Sequence, residues 1–213
     1  MIDFAKRHVL VIGGTGTIGS AAASMALVRG AQVTATGRSI EEDDRGRAWI
    51  GWRRLDVTDR DAVDRLLHDL GDVTDIVLTA AARPFDDLVD IESDDLTALV
   101  DTRLWGAFHV GRVAADGLDE DGTVTFLSGT LATYPETASP VAAVSAAVET
   151  LGRGLAVELA PIRVNVVSPA ALGTSGRGHH QGRADDVAQA ILSSIENPWI
   201  SGSVIALHGA GHP

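Results

Sequence analysis

The sequence predicts a doubly wound α/β fold, a parallel sheet of about seven strands in a three-layer α/β/α arrangement, and three observations carry that prediction. Short apolar runs alternate with helix-like stretches along the whole chain. Most of those runs are almost wholly apolar, as strands covered on both faces must be. A glycine-rich turn joins the first run directly to a helix. At 213 residues the chain fits one domain, 1–213, with no internal repeat, low-complexity tail or linker.

Taken in order, the strands are expected at His8–Ile12, Gln32–Thr36, Trp52–Leu55, Asp75–Thr79, Thr123–Ser128, Arg163–Val167 and Ser203–Leu207. The first helix, Thr17–Arg29, opens from the glycine turn. The second, Asp59–Asp69, follows Thr58 as its expected N-cap, with Asp61 three residues on. A long helix is expected from about Ser93 to Asp116, and another from Pro140 to Leu159 with Ser139 as cap and Pro140 in its first position. The last runs over Asp185–Ile195. Gly37–Gly51 reads as a charged connection and Gly173–Arg183 as a polar loop rich in Gly, His and Arg.

Composition narrows the function. Seventeen Lys and Arg against 29 Asp and Glu leave a net charge of −12, the wrong sign for a protein that neutralises nucleic-acid phosphates. The absence of cysteine excludes disulfides, thiolate metal sites and thiol nucleophiles. With no apolar run of about 18 residues and no leader-like start, neither a membrane span nor a signal peptide is expected, and a cytoplasmic location is. The chain holds one Tyr, Tyr134, one Lys, Lys6, and two Asn, Asn165 and Asn197. A mechanism that needs a tyrosine–lysine pair must find it among these, because Arg does not surrender its proton.

Gly13 stands before a G-x-G-x-x-G formed by Gly14, Thr15, Gly16, Thr17, Ile18 and Gly19, between the apolar strand His8–Ile12 and a helix. In that context the pattern is the phosphate cradle of a Rossmann-type fold: the glycines let backbone approach a dinucleotide's pyrophosphate at the helix N-terminus, where free N–H groups and the dipole favour negative charge. At the end of the second strand, where NAD-binding proteins carry an acid for the ribose, the sequence has Arg38 and Ser39 instead. A guanidinium and a hydroxyl match a 2′-phosphate, so the expected cofactor is NADP(H). The plainer alternative is a solvated Arg38 facing the acidic run Glu41–Asp44.

Further segments resemble the short-chain dehydrogenase/reductase family along nearly the whole chain. They are Gly13–Gly19, Leu55-Asp56-Val57-Thr58, Leu104-Trp105-Gly106-Ala107-Phe108, Ala146-Ala147-Val148-Glu149 through Leu155–Leu159, Arg163–Pro169 and Ile200–Ile205. The resemblance implies Asp56 and Val57 beside the adenine ring, and a homodimer or homotetramer built on the two long helices. Gly152 and Gly154 suit close approach of such helices, or packing within the subunit.

The resemblance also implies a catalytic Ser, Tyr and Lys with an Asn completing a proton relay. Alignment puts Gly129 at the serine position, Val141 at the tyrosine, Ser145 at the lysine and Arg103 at the asparagine. The segment after the fourth strand reads Thr79-Ala80-Ala81-Ala82, and of the later cofactor clamp Pro169 and Thr174 remain, with Ala170 for a glycine. Ten residues separate Thr174 from the final helix, a much reduced substrate cover. The cofactor end thus reads as kept and the acid–base end as replaced.

The residues left to do chemistry at the carboxyl edge of the sheet are Arg103, Ser128, Thr130, Tyr134 and His179, with Arg83, Thr174 and His180 nearby. One arrangement has Ser128 or Thr130 hydrogen-bond a substrate carbonyl while Arg103 stabilises the developing oxyanion and a lid histidine gives the proton. Simpler readings pair Arg103 with Asp101 or Asp95, make His179–His180 a polar loop and have Tyr134 pack. A metal site is not expected, for want of a third ligand. Two functions stay open: an NADP(H)-dependent reductase of a small imine, activated carbonyl or conjugated substrate, and a non-redox protein on the same scaffold, whether cyclase, isomerase or NADP(H)-responsive binding protein.

Overall fold

The computed structural model describes residues 2–40, 49–81, 88, 91–133, 138–173 and 181–209. Its strands are β1 (His8–Ile12), β2 (Gln32–Gly37), β3 (Ile50–Arg54), β4 (Asp75–Leu78), β5 (Thr123–Leu127), β6 (Arg163–Pro169) and β7 (Val204–Leu207). All pair in parallel, in the order β3-β2-β1-β4-β5-β6-β7. The order reverses between β1 and β4, which opens a crevice beyond their carboxyl ends.

The helices are α1 (Thr17–Val28), α2 (Arg60–Leu70), α3 (Ser93–Val100), α4 (Gly106–Gly117), α5 (Ser139–Glu158) and α6 (Ala184–Glu196). Strand alternation assigns them to two faces. Leu10 and Ile12 of β1 point into a core with Leu66 and Leu67 of α2, Val110 of α4 and Val148 of α5. Val9 and Val11 point into the opposite core, with Ala22, Ala23 and Ala26 of α1 and Ile191, Leu192 and Ile195 of α6. The alanine-rich face of α1 lets α6 pack close.

Two buried arginines hold the amino edge of the sheet. Arg7 grips Asp75 through Nε and Nη2, each at 2.8 Å, and reaches Asp121 through Nη1 at 2.7 Å. Arg163 donates from Nη1 to the carbonyls of Ser194, Asn197 and Ile200 and from Nη2 to that of Ile195, which satisfies the end of α6.

Three sequence expectations are corrected. The cap of α2 is Asp59, whose carboxylate accepts from Ala62 N at 3.0 Å, whereas the Thr58 hydroxyl donates to Asp56 at 2.8 Å. Ser139 is not a cap: it lies inside α5, because the preceding Ala138 turns the chain at φ 52° and the helix begins one residue early. The long helix around Arg103 is not uniform, since a wide π turn over Asp101–Trp105 joins α3 to α4. Strand ends otherwise move by up to two residues. No helix among the described residues is long and apolar enough to cross a membrane.

Candidate functional site

The β1–α1 turn is built from close backbone approach. Gly13 adopts φ 92°, and a Cβ there would stand 2.5 Å from the Ala80 nitrogen after β4. A Cβ at Gly19 would meet the Gly13 carbonyl oxygen at 2.3 Å. Thr79 ties the two segments together, its hydroxyl donating to the carbonyls of Ile12 and Gly13 at 3.1 and 3.2 Å. Gly16 is the N-cap of α1 and no side chain caps the helix, so its first-turn N–H groups have no intrahelical partner.

This turn forms one side of a cavity of about 350 Å³. Gly13, Thr15, Gly16, Thr17, Ile18 and Gly19 line its middle. Thr36, Gly37 and Arg38 from the end of β2, with Leu55, Asp56 and Val57 from the end of β3, line one end. Thr79, Ala80, Ala81, Thr102, Arg103, Leu127 and Leu172 line the other. Gly106 packs against Val57, where a Cβ would meet both valine methyls at 3.1 Å, and the His109 ring bonds the Val57 carbonyl at 3.1 Å. Arg38 is exposed at the cavity's edge.

Most of the expected cofactor residues therefore come together. Ser39 is exposed and does not line this cavity, and Pro169 lines a neighbouring one of about 340 Å³ that shares Leu172 with it. Ala82, Arg83, Thr174, Tyr134, His179 and His180 lie outside the described residues, as does the Glu41–Asp44 run.

The candidate catalytic residues divide. Ser128 is buried and donates its proton to Glu149 Oε1 at 3.0 Å, an oxygen that also accepts from Ser168 at 3.0 Å. The expectation that Ser128 hydrogen-bonds a substrate carbonyl is thereby corrected, because a hydroxyl has one proton and this one is committed to a carboxylate. Thr130 begins a short 3₁₀ turn over Thr130–Ala132 and does not line the cavity.

Arg103 does line it. Its Nη1 donates to Ser145 Oγ at 3.3 Å, its Nε is buried without a hydrogen-bond partner, and no ion pair to Asp101 or Asp95 forms among the described residues. Burial lowers its pKa from the ordinary guanidinium value. A Cβ added to Gly129 would lie 3.9 Å from Ser145 Oγ, so positions 103, 129 and 145 meet at one place. Glu149, one turn beyond Ser145, escaped the sequence reading as a site-shaping group. The available signal was a carboxylate in an otherwise apolar helical stretch.

The chain is similar to known proteins along most of its length. Residues 13–204 match the family model described as enoyl-(acyl carrier protein) reductase. The short-chain dehydrogenase/reductase ucsE of Acremonium sp is 27% identical, with 96% of this chain and 94% of that protein covered. A short chain dehydrogenase from Burkholderia cenocepacia, solved in complex with NADP, is 25% identical with a TM-score of 0.85 and 99% of both chains covered. The MalC reductase/Diels-Alderase of Malbranchea aurantiaca is 25% identical with a TM-score of 0.84, covering 99% of this chain and 98% of its own.

Proposed function

The chain belongs to the short-chain dehydrogenase/reductase family, and from that premise we propose that it is an NADP(H)-dependent reductase whose reacting end works through Arg103. The observation that carries this reading is that the glycine cradle, Arg38 and Arg103 all border one cavity. The cradle fits a dinucleotide: Gly13 and Gly19 leave space that a Cβ would fill, and the uncapped α1 terminus presents N–H groups to a pyrophosphate. The Burkholderia relative was solved with NADP, in keeping with that fit.

In this reading Asp56 and Val57 would hold the adenine end, Arg38 the 2′-phosphate, and Ala80 and Ala81 would border the nicotinamide end. NADPH, when bound, supplies a hydride to the electrophilic carbon of the acceptor. Arg103 stabilises the negative charge that arises on the acceptor as the hydride arrives. A guanidinium does not release a proton near neutrality, and no described residue at that end of the cavity titrates there. The proton that completes the product then comes from water, which suits an imine, an activated carbonyl or a conjugated acceptor, with placement supplying most of the rate.

Calorimetric titration of cofactor-stripped protein with NADPH, and with NADH as control, tests this. NADPH is expected to bind at least about tenfold more tightly, a difference of about 1.4 kcal/mol. Absence of binding by either at millimolar concentration, a few kcal/mol short of useful affinity, would favour the second reading, a non-redox protein on the same scaffold. That alternative draws on Gly129, Val141 and Ser145 standing where the family's proton-transfer residues would be.

A further inference from the structure

We propose that the acceptor taken at this site carries a carboxylate, and that Arg103 is the residue that binds it. The inference rests on the reductase reading above and adds the substrate class.

Arg7 and Arg163, which are buried, contrast with the half-buried Arg103. Arg7 is met by two carboxylates, and Arg163 by four carbonyl oxygens. Arg103 has a single hydrogen bond, long at 3.3 Å, to a neutral hydroxyl. Its Nε is buried with no partner, and no carboxylate of the described residues comes within ion-pair distance. A half-buried cation left this way still gives up part of its solvation, and the usual remedies in proteins are a paired anion or a full set of acceptors. Neither comes from the described chain, and Arg103 lines the cavity, so the anion is assigned to the cavity's occupant.

The chemistry of the anion follows from what surrounds it. Nη1 is engaged with Ser145 and Nε is closed off from the cavity, which leaves Nη2 to donate to an oxyanion there. Thr79, Ala80, Ala81, Thr102, Leu127 and Leu172, its companions at that end, bring no second charge. One guanidinium suits a monoanion better than a doubly charged phosphate. A cofactor's own phosphates are served elsewhere in the cavity, by the glycine turn and Arg38. A neutral ketone would leave the charge unmatched in the ground state.

The shared chemistry of the possible sources is an oxyanion, and binding measurements separate an acid substrate from a cofactor phosphate. The full chain and its Arg103→Lys and Arg103→Met variants are titrated calorimetrically with crotonate against crotonamide and benzoate against benzamide, with and without saturating NADP⁺. At least one acid is expected to bind tenfold or more tightly than its amide. Arg103→Lys should retain part of that preference and Arg103→Met should abolish it, with NADP⁺ affinity within twofold throughout. Equal binding of acids and amides, or no binding of either, overturns the proposal. So does a tenfold loss of NADP⁺ affinity in Arg103→Met, which would give the guanidinium to a cofactor phosphate. If NADP⁺ does not bind while the acid preference persists in cofactor-free protein, the reductase reading falls and the carboxylate assignment stands.

Discussion

Arg103 Nη1 lies 3.3 Å from Ser145 Oγ, so the π turn before α4 brings a positive charge against the first turns of α5. The Ser145 hydroxyl accepts one of the guanidinium protons. The group bearing the charge at this end of the cavity is planar and multidentate, and it holds its proton at neutral pH.

Arg103→Met is expected to raise stability while lowering turnover. The methionine keeps most of the side chain's apolar volume and removes a half-buried charge whose Nε is buried and unpaired, an unmet group that costs about 1–3 kcal/mol. The loss of one long hydrogen bond to Ser145 offsets part of this, for a net gain of about 1 kcal/mol in chemical denaturation. Because burial lowers the folded-state pKa of Arg103, the unfolded chain holds that proton more tightly. The penalty is therefore complete below the folded pKa and fades only as pH rises through it, in the alkaline range. At neutral pH and below, the gain should be constant. An unchanged or lower stability across that range would show that something else satisfies the guanidinium.

Arg7→Met should do the opposite, because Arg7 is buried and paired. There the guanidinium is met by Asp75, itself inaccessible to solvent, so removal strands a buried carboxylate. Breaking one partner out of such a pair costs about 3–5 kcal/mol. Urea denaturation of the two variants side by side separates a matched from an unmatched arginine.

Gly13→Ala tests the cradle. Its φ of 92° strains any side chain, and the new Cβ would press on the backbone nitrogen of Ala80 at 2.5 Å. Left-handed backbone alone costs about 1–2 kcal/mol for an L residue, and the contact adds to it. We expect a fall of at least about 2 kcal/mol in unfolding free energy, together with loss of NADPH binding. Gly154→Ala is the control, since a Cβ there meets nothing within 4 Å. It should be neutral or slightly stabilising.

These contrasts mark what the sequence discloses. The path from His8 through Gly19 is legible because an apolar strand, a glycine turn and a helix start each leave a local signal, and the structure joins them as expected. Strand positions are legible to within two residues for the same reason. Nothing local marks the π turn over Asp101–Trp105, and Gly106, which follows it, packs against Val57 about fifty positions earlier in the chain. The Arg103–Ser145 bond spans 42 positions and the Ser128–Glu149 bond spans 21. Both depend on which helix face meets which strand end, so Ser128 reads as a free hydroxyl in the sequence and is a committed donor in the fold.

Arg38→Ala should weaken NADPH binding by about 1.5–3 kcal/mol, the worth of a hydrogen bond to a charged group, and spare NADH. Arg38 is exposed at the cavity's edge, so its removal leaves no unsatisfied buried group and stability should hold. Equal losses for both cofactors would mean that Arg38 does not read the 2′-phosphate.

The family's tyrosine chemistry should be recoverable, but only if Arg103 leaves. Gly129→Ser is accommodated, because the backbone there is extended and a Cβ would find ordinary contacts at 3.7 Å to the Pro169 carbonyl and 3.9 Å to Ser145 Oγ. Val141→Tyr supplies a phenol on the same helix as Ser145→Lys, one turn before it. Yet a lysine at 145 meets the Arg103 guanidinium, whose Nη1 already lies 3.3 Å from that side chain. Two cations at that distance repel by several kcal/mol even at an effective dielectric of about 20, so the lysine either turns away or loses its proton. The triple variant should therefore remain silent toward simple ketones, measured by NADPH oxidation with cyclohexanone. Adding Arg103→Asn removes the competing charge and restores the relay position, and activity should then appear. Activity in the triple variant would show that the two charges tolerate one another, and silence in the quadruple variant would mean that these four positions are not enough to carry the family's chemistry.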